Sequence, residues 1–104
     1  MKTSIQEKEG KIIATLEGEF DTAAAAEVKT ALQPLFDNDG RDVIIDCEKL
    51  EYIASSGLRI LISILKRAKK IGSRVILKNV REDIREVFRL TGFISIFEFE
   101  DSER

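Results

Sequence analysis

The chain has 104 residues, of which 43% are apolar and 35% charged, and its formal net charge at pH 7 is −2. This length fits one domain with a core of ordinary size, and the balanced charge argues against the basic face that nucleic-acid binding needs. The sequence has no histidine and only one cysteine, which excludes the usual zinc sites and every histidine-based catalytic triad. It also lacks both glycine-rich nucleotide-binding motifs. We therefore predict a protein that is not an enzyme and that uses no cofactor or metal.

The N-terminal segment MKTSIQEKEG lacks the apolar stretch of a signal peptide. No apolar run approaches the roughly 20 residues that cross a membrane as a helix. We therefore expect a cytoplasmic protein without membrane insertion. The single cysteine, Cys47, lies within an apolar run, where we predict a buried structural thiol.

The first predicted elements form a β-hairpin. Residues 3–7 are a weak strand candidate, and residues 11–18 are a stronger one because apolar side chains recur with a period of two. Gly10 lies between them, at a turn where a positive φ is often needed.

A run of four alanines predicts a helix after the hairpin. Asp21 precedes the run and is a candidate N-cap. We predict that this helix continues to about Phe36, and that Pro34 kinks or ends its last turn.

Strands and helices then alternate along the rest of the chain. The apolar run 43–47 suits a strand buried on both faces, and Gly72 closes a strong helix over residues 58–71. A buried strand, a helix and a last strand follow: residues 74–78, 81–90 and 94–99. We expect the acidic tail, residues 100–104, to fray. The order β-β-α-β-α-β-α-β predicts an α/β fold with a parallel portion of sheet and an antiparallel edge from the hairpin.

The stretch YIASSGLR, residues 52–59, lies between a predicted buried strand and the long helix. Sites tend to form at the carboxyl ends of strands in open α/β sheets, and a helix N-terminus favours an anion. One serine here can be an N-cap and nothing more. Because Ser55 and Ser56 cannot both be the N-cap, we predict that one hydroxyl is left over and exposed. Gly57 in the first turn suggests that something approaches the chain closely at this point.

The long helix has a wide apolar arc. Ile60, Ile64 and Ile71 lie beside its main core stripe and widen the arc to roughly 200°. These residues either contact a neighbouring helix or chain terminus, or form an exposed hydrophobic strip beside Ser56 and Ser63. The second interpretation predicts that aspartate at Ile60 or Ile64 weakens partner binding more than it lowers stability.

Taken together, these residues resemble the STAS domain family, the fold of bacterial anti-sigma factor antagonists. The resemblance covers residues 1–104 as one domain and implies a mixed, mostly parallel sheet with three or four helices mainly on one face. The sequence departs from the family pattern at Ala54, where the family often has aspartate, and at Arg59, where a small residue is frequent. Three segments carry the resemblance: Gly18-Glu19-Phe20-Asp21, Val43-Ile44-Ile45-Asp46 and Tyr52-Ile53-Ala54-Ser55-Ser56-Gly57-Leu58.

The resemblance implies a partner-switching regulator of transcription, and we expect a monomer. In such proteins the serine directly before the glycine, here Ser56, is phosphorylated by a partner that is both an anti-sigma factor and a serine kinase of the GHKL ATPase type. A serine phosphatase is a further implied partner. The unphosphorylated antagonist binds its partner and frees the sigma factor, whereas the phosphorylated form lets go. The residues predicted to contact the partner surround this serine: Asp21, Thr22, Ala54, Ser55, Ser56, Gly57, Leu58, Arg59, Ile60 and Ser63.

A second function is compatible with the same resemblance. Stand-alone STAS domains also act as accessory subunits that bind the ATPase of lipid-trafficking ABC transporters, without needing phosphorylation. The two functions differ in the partner and in whether the charge state of Ser56 controls binding.

Overall fold

Alternating strands and helices build one five-stranded sheet in the computed structural model, which describes residues 1–102. The strands are β1 Lys2–Lys8, β2 Lys11–Phe20, β3 Val43–Ile53, β4 Val75–Lys78 and β5 Glu98–Glu100. The helices are α1 Ala25–Ala31, α2 Gln33–Phe36, α3 Ser55–Ile71 and α4 Glu82–Leu90. The strands lie in chain order across the sheet; β1 and β2 are antiparallel, and the later neighbours are parallel. This confirms the predicted α/β class, the mixed sheet and the N-terminal hairpin.

The core lies between the helices and one face of the sheet. In β2, Ile12, Ala14 and Leu16 are buried, as the period of two predicts. The same core cluster contains Leu61 of α3 and Phe88 of α4. The helices therefore pack on the face of the sheet to which these strand residues point.

The other face of β3 is less well covered than predicted. Val43 and Ile45 are buried, but Ile44 and Asp46 between them are only half-buried. The prediction of a strand buried on both faces is therefore wrong for the second face, because the helices cover the first one. Cys47 is buried as predicted, and burial, together with the charge of Asp46, raises the pKa of its thiol to about 12.

The single helix predicted from the alanine run is two short helices. α1 begins only at Ala25, and α2 has Pro34 in its first turn, where the missing N–H of proline costs no helical hydrogen bond. Asp21 is not the N-cap of α1. Its carboxylate Oδ1 instead accepts a hydrogen bond from the N–H of Ala24, at 2.9 Å, in the turn that leads into the helix.

The long helix, α3, ends as predicted at Gly72, whose φ of 76° is the left-handed conformation that glycine adopts at little cost. Ile60 and Ile64 are 8% and 0% exposed and belong to the core cluster. The interpretation of an exposed hydrophobic strip is therefore wrong, because α1 and α2 pack against α3 in addition to the sheet. Aspartate at either position would disturb the core. Within residues 1–102, no helix is long and apolar enough to cross a membrane.

The last strand is shorter than predicted. The N–H groups of Phe93 and Ile94 donate to the Phe88 oxygen at 2.8 and 3.0 Å, in a turn at the end of α4. These groups are therefore not available to a β-ladder, and β5 begins only at Glu98.

The predicted fraying of the tail is wrong for its first residues. Glu100 is the last residue of β5, and the N–H of Ser102 donates to Asn79 Oδ1 at 2.7 Å. The rest of the predicted tail, residues 103 and 104, lies outside the described residues.

Candidate functional site

Two loops meet at the carboxyl ends of β2 and β3. Because these strands are parallel, Phe20 at the end of β2 pairs with Ile53 at the end of β3, and the Ala54 N–H donates to the Phe20 oxygen at 2.9 Å. Asp21 and Thr22 directly follow β2. The structure therefore brings these two predicted residues to the start of α3, at the edge of the sheet where sites tend to form.

The N-terminus of α3 has no side-chain cap. Ala54 holds the N-cap position with extended backbone angles, φ −88° and ψ 168°, and the first turn contains no acidic residue. The Leu58 N–H donates to the Ala54 oxygen at 3.0 Å, so the N–H groups of residues 55–57 precede the intrahelical ladder. The prediction that one serine is the N-cap is wrong, because Ser55 is already helical. The positive end of the helix dipole is left uncompensated by its own first turn.

The two serines differ in their surroundings. Ser55 is exposed, and its side chain makes no hydrogen bond to any residue within 1–102. Ser56 is half-buried, and its hydroxyl donates to the hydroxyl of Thr22 at 3.3 Å. The predicted free hydroxyl is therefore that of Ser55, while Ser56 is held across the two loops.

Gly57 packs closely against the core. A Cβ at this position would lie 3.0 Å from side-chain atoms of both Ile53 and Phe20. These neighbours are 3% and 0% exposed, so an added Cβ would press on two buried side chains. The close approach that the sequence suggests at Gly57 is thus an internal contact between α3 and the ends of β2 and β3.

The predicted contact residues on α3 divide between surface and core. Arg59 and Ser63 are exposed, and the Ser63 hydroxyl donates to the Arg59 backbone oxygen at 2.9 Å. Leu58 and Ile60 are buried, because they lie on the side of α3 that faces the core. Only the first two can present their side chains to a partner in this structure.

Tyr52 is a surface residue of this region that sequence reasoning misses. Its side chain is 50% exposed, and it pairs across the sheet with Glu19, which is also exposed. The sequence pattern does not reveal this exposure, because the predicted strand ends at residue 47 and the period of two would place Tyr52 on the same face as the buried Leu50. Tyr52 and Glu19 are therefore an exposed pair near the carboxyl ends of β3 and β2.

The Ser56 hydroxyl contacts no charged side chain through a described hydrogen bond within residues 1–102. A nucleophilic serine needs an adjacent general base, but the described hydrogen-bond partner of Ser56 is another hydroxyl, that of Thr22. The structure has a pocket of about 270 Å³, and none of the predicted site residues lines it. Its lining residues are Glu48, Asn79, Val80, Arg81, Asp101 and Ser102.

The fold and the serine-containing segment at the start of α3 are those of a known domain family. The family model of the STAS domain matches residues 2–104. The chain therefore belongs to the STAS domain family.

Similar proteins of known sequence are named as anti-sigma factor antagonists. Over 97 residues the chain is 33% identical to BtrV of Bordetella bronchiseptica, which is provisionally named as such an antagonist, and the match covers 93% of this chain and 84% of that protein. Over 98 residues it is 28% identical to the anti-sigma-B factor antagonist of Bacillus subtilis, covering 94% of this chain and 89% of that protein.

Solved structures show the same fold. A protein of Thermotoga maritima, provisionally described as an anti-sigma factor antagonist, has a TM-score of 0.86 at 20% identity, covering 96% of this chain and 86% of that one. The Bacillus antagonist SpoIIAA has a TM-score of 0.74 in both its unphosphorylated and its phosphorylated form, at 18% and 20% identity. These two matches each cover 99% of this chain, and 90% and 93% of SpoIIAA.

Proposed function

We propose that this protein is an anti-sigma factor antagonist that binds an anti-sigma factor through the surface around Ser56 and thereby releases a sigma factor. The observation that carries the proposal is a half-buried serine hydroxyl at the uncapped N-terminus of α3, beside the β2–α1 loop, in a STAS domain. The names of the relatives from Bordetella and Bacillus support it.

The partner in this proposal is an anti-sigma factor that is also a serine kinase of the GHKL ATPase type, and it phosphorylates Ser56. A phosphate adds about −1.5 to −2 charges at pH 7. The fold tolerates this charge, because the N–H groups of the first turn of α3 have no side-chain cap and favour an anion. A closed interface does not, because the desolvation of an unpaired charge costs several kcal/mol. Phosphorylation therefore releases the partner without unfolding the antagonist.

The contact surface in this proposal consists of the exposed and half-buried predicted residues and Tyr52. Asp21 and Thr22 lie in the loop after β2, Ser55 is the first residue of α3, and Arg59 extends the surface along this helix. Aromatic residues are frequent among those that contribute most to binding, and Tyr52 is exposed two residues before Ala54. Leu58 and Ile60 support α3 from the core.

A titration of the purified kinase partner with three versions of the protein tests the proposal. The partner is identified by co-purification with the tagged protein, or from the neighbouring genes if one of them encodes a GHKL-type kinase. We expect Ser56→Ala to bind and to resist phosphorylation, and Ser56→Asp to bind at least tenfold more weakly, a difference of about 1.4 kcal/mol. Ser95→Asp, at an exposed position after α4, adds the same charge and should bind as the wild type does.

Mass spectrometry of the phosphorylated protein locates the phosphate, and melting curves show that each variant is folded. Equal affinities for the wild type, Ser56→Ala and Ser56→Asp would rule out a charge switch at Ser56. Equal binding of these three proteins to an ABC transporter ATPase would instead support the accessory-subunit function.

A further inference from the structure

We infer that the exposed face of α3 between Arg59 and Lys70 is a docking surface for an acidic surface of the partner protein, and that Arg59 binds one of its carboxylates; this rests on the proposed function for the identity of the partner. α3 contains five basic residues and no acidic one. The formal net charge of the whole chain is −2, so the residues outside α3 carry −7. This helix is therefore a strongly basic element of an otherwise acidic protein.

The basic residues follow one side of the helix. Arg59, Lys66 and Lys70 are exposed, and with the exposed Ser63 they recur at intervals of four, three and four residues. Side chains at this spacing share one face of an α-helix. The distance along the axis from the first to the last of them is about 16 Å. We call these four residues the basic stripe.

Arg59 differs from the other arginines within residues 1–102, because its side chain has no partner there. Arg67, also on α3, donates a hydrogen bond to the Phe36 backbone oxygen at 3.1 Å. A guanidinium presents a planar fork that can bind a carboxylate through two parallel hydrogen bonds. The fork of Arg59 is therefore available to a carboxylate of another protein. The remaining five arginines all form salt bridges with carboxylates of this chain: Arg41, Arg74, Arg81, Arg85 and Arg89.

The helix dipole explains only part of the stripe. Lys66 and Lys70 lie towards the C-terminal end of α3, where the dipole stabilises a cation, and neither makes an ion pair within residues 1–102. Arg59 lies near the other end of the helix, where the dipole gives a cation no such stabilisation. A carboxylate on a bound partner accounts for the cations at both ends.

The charge distribution favours a protein partner over a membrane or a nucleic acid. Both of the latter present negative charge over an extended surface, which would repel the −7 outside α3. A protein can present its acidic groups opposite the stripe alone. The stripe also continues the proposed contact surface, because Arg59 belongs to both and lies three residues after Ser56. A partner that covers the start of α3 therefore reaches the stripe.

Association kinetics with the co-purified anti-sigma factor test the role of the two lysines. The test variant is Lys66→Gln/Lys70→Gln, in which glutamine keeps a good helix propensity. The control, Lys2→Gln/Lys8→Gln, removes the same charge from exposed positions of β1. At about 0.01 M salt we expect the test variant to associate roughly fivefold more slowly, while the control associates as the wild type does.

The difference in rate should disappear at about 1 M salt, where the Debye length is about 3 Å. Melting curves show that each variant is folded. Equal association rates for the three proteins, or equal losses in both variants, would overturn the inference.

Replacing Arg59 by lysine separates the fork from the charge. Lysine keeps the positive charge but meets a carboxylate as a point charge. We expect Arg59→Lys to associate with the partner at the rate of the wild type and to dissociate roughly fivefold faster. An unchanged dissociation rate would overturn the assignment of a carboxylate to Arg59.

A titration without the partner separates this inference from the proposed function. Decaglutamate peptide is added to isotope-labelled protein, and the amide shifts are followed by NMR. We expect the shifts to concentrate between residues 59 and 70 and to be lost in Lys66→Gln/Lys70→Gln. Shifts spread equally over β1 and α3 would overturn the inference. If the wild type binds no anti-sigma factor, the proposed function fails, and this titration still decides whether the stripe binds acidic protein segments. Binding of the wild type to phosphatidylserine vesicles but not to the peptide would overturn the inference in favour of a lipid surface.

Discussion

Replacing Ala54 by aspartate should stabilise the protein. Ala54 has the extended backbone angles of an N-cap residue but no side-chain acceptor, and the first turn of α3 contains no acidic residue. An aspartate at the N-cap accepts a hydrogen bond from the N–H of the second or third helical residue, here Ser56 or Gly57. Its charge also lies at the positive end of the helix dipole.

The expected gain follows from these two effects. A side-chain cap contributes about 1 kcal/mol, within a range of roughly 0.5–2 kcal/mol, compared with alanine. Ala54 is half-buried, so an aspartate keeps part of its contact with water and loses only part of its hydration. We therefore expect an increase of about 1 kcal/mol in the free energy of unfolding, or roughly 4 °C in Tm. The gain should be lost as the pH falls and the new carboxylate is protonated, because the cap favours its ionised form in the folded state.

Urea titrations followed by circular dichroism measure this effect. Ala54→Asn keeps the capping hydrogen bond without the charge and separates the two contributions. Ala23→Asp adds the same charge at an exposed position in the turn before α1 and controls for net charge. If Ala54→Asp were no more stable than Ala23→Asp, the N–H groups at the start of α3 would already be satisfied, and the description of an uncapped helix would be refuted.

Two further predictions concern the interior. Gly57→Ala should lower the free energy of unfolding, measured in urea titrations, by about 1 kcal/mol. Crowding of the new methyl group against Phe20 and Ile53 costs about 1–3 kcal/mol, which exceeds the gain in helix propensity of at most about 1 kcal/mol. A variant more stable than the wild type would contradict this prediction. Between about pH 9 and 11, the wild type should lose about 1.4 kcal/mol per pH unit relative to Cys47→Ala. The pKa of the buried thiol is raised from 9.0 to about 12, so the unfolded chain releases this proton first and stability falls as the pH rises. Equal slopes for the two proteins would contradict the burial effect.

Local sequence patterns predict most of the fold because they act within single elements. The period of two in β2 identifies its buried residues Ile12, Ala14 and Leu16 without knowledge of what covers them. Gly72 ends α3 through its own backbone conformation. A chain in which strands alternate with helices can form only a few sheet topologies. The observed one, with β2 to β5 parallel and in chain order, is one of these.

The sequence-based predictions fail where contacts between different helices and strands determine the structure. A helical wheel cannot show that α1 and α2 pack against α3, so the burial of Ile60 and Ile64 is not apparent from their spacing. High alanine propensity predicts a helix but not its first residue, and the turn closed by Asp21 delays the start of α1 to Ala25.

The site is predicted in its residues but not in its geometry. The motif brings Ser55 and Ser56 to the start of a helix, yet α3 begins at Ser55, three residues before the predicted start at residue 58, and this gives the N-cap position to Ala54. The glycine after the serines is explained by Phe20, which is distant in sequence. The bond between Ser56 and Thr22 likewise depends on the parallel pairing of β2 and β3, which no local pattern contains.

The uncharged side chain of Ala54, at the N-cap position of α3, also determines how a phosphate at position 56 affects stability. An aspartate at position 54 would occupy the same N–H groups that a phosphate on Ser56 can reach, and the two anions would repel each other. Ala54 leaves these groups open, so phosphoserine at position 56 should raise the stability of the wild type by about 0.3–1 kcal/mol. In Ala54→Asp the same phosphate should give a smaller gain or a loss. Thermal unfolding of the four proteins, with and without phosphoserine and with alanine or aspartate at position 54, measures this coupling as a double-mutant cycle. If the phosphate shifted Tm equally in both backgrounds, it would not share the N-terminus of α3 with the cap residue, and the electrostatic explanation of how the fold accepts the phosphate would fail.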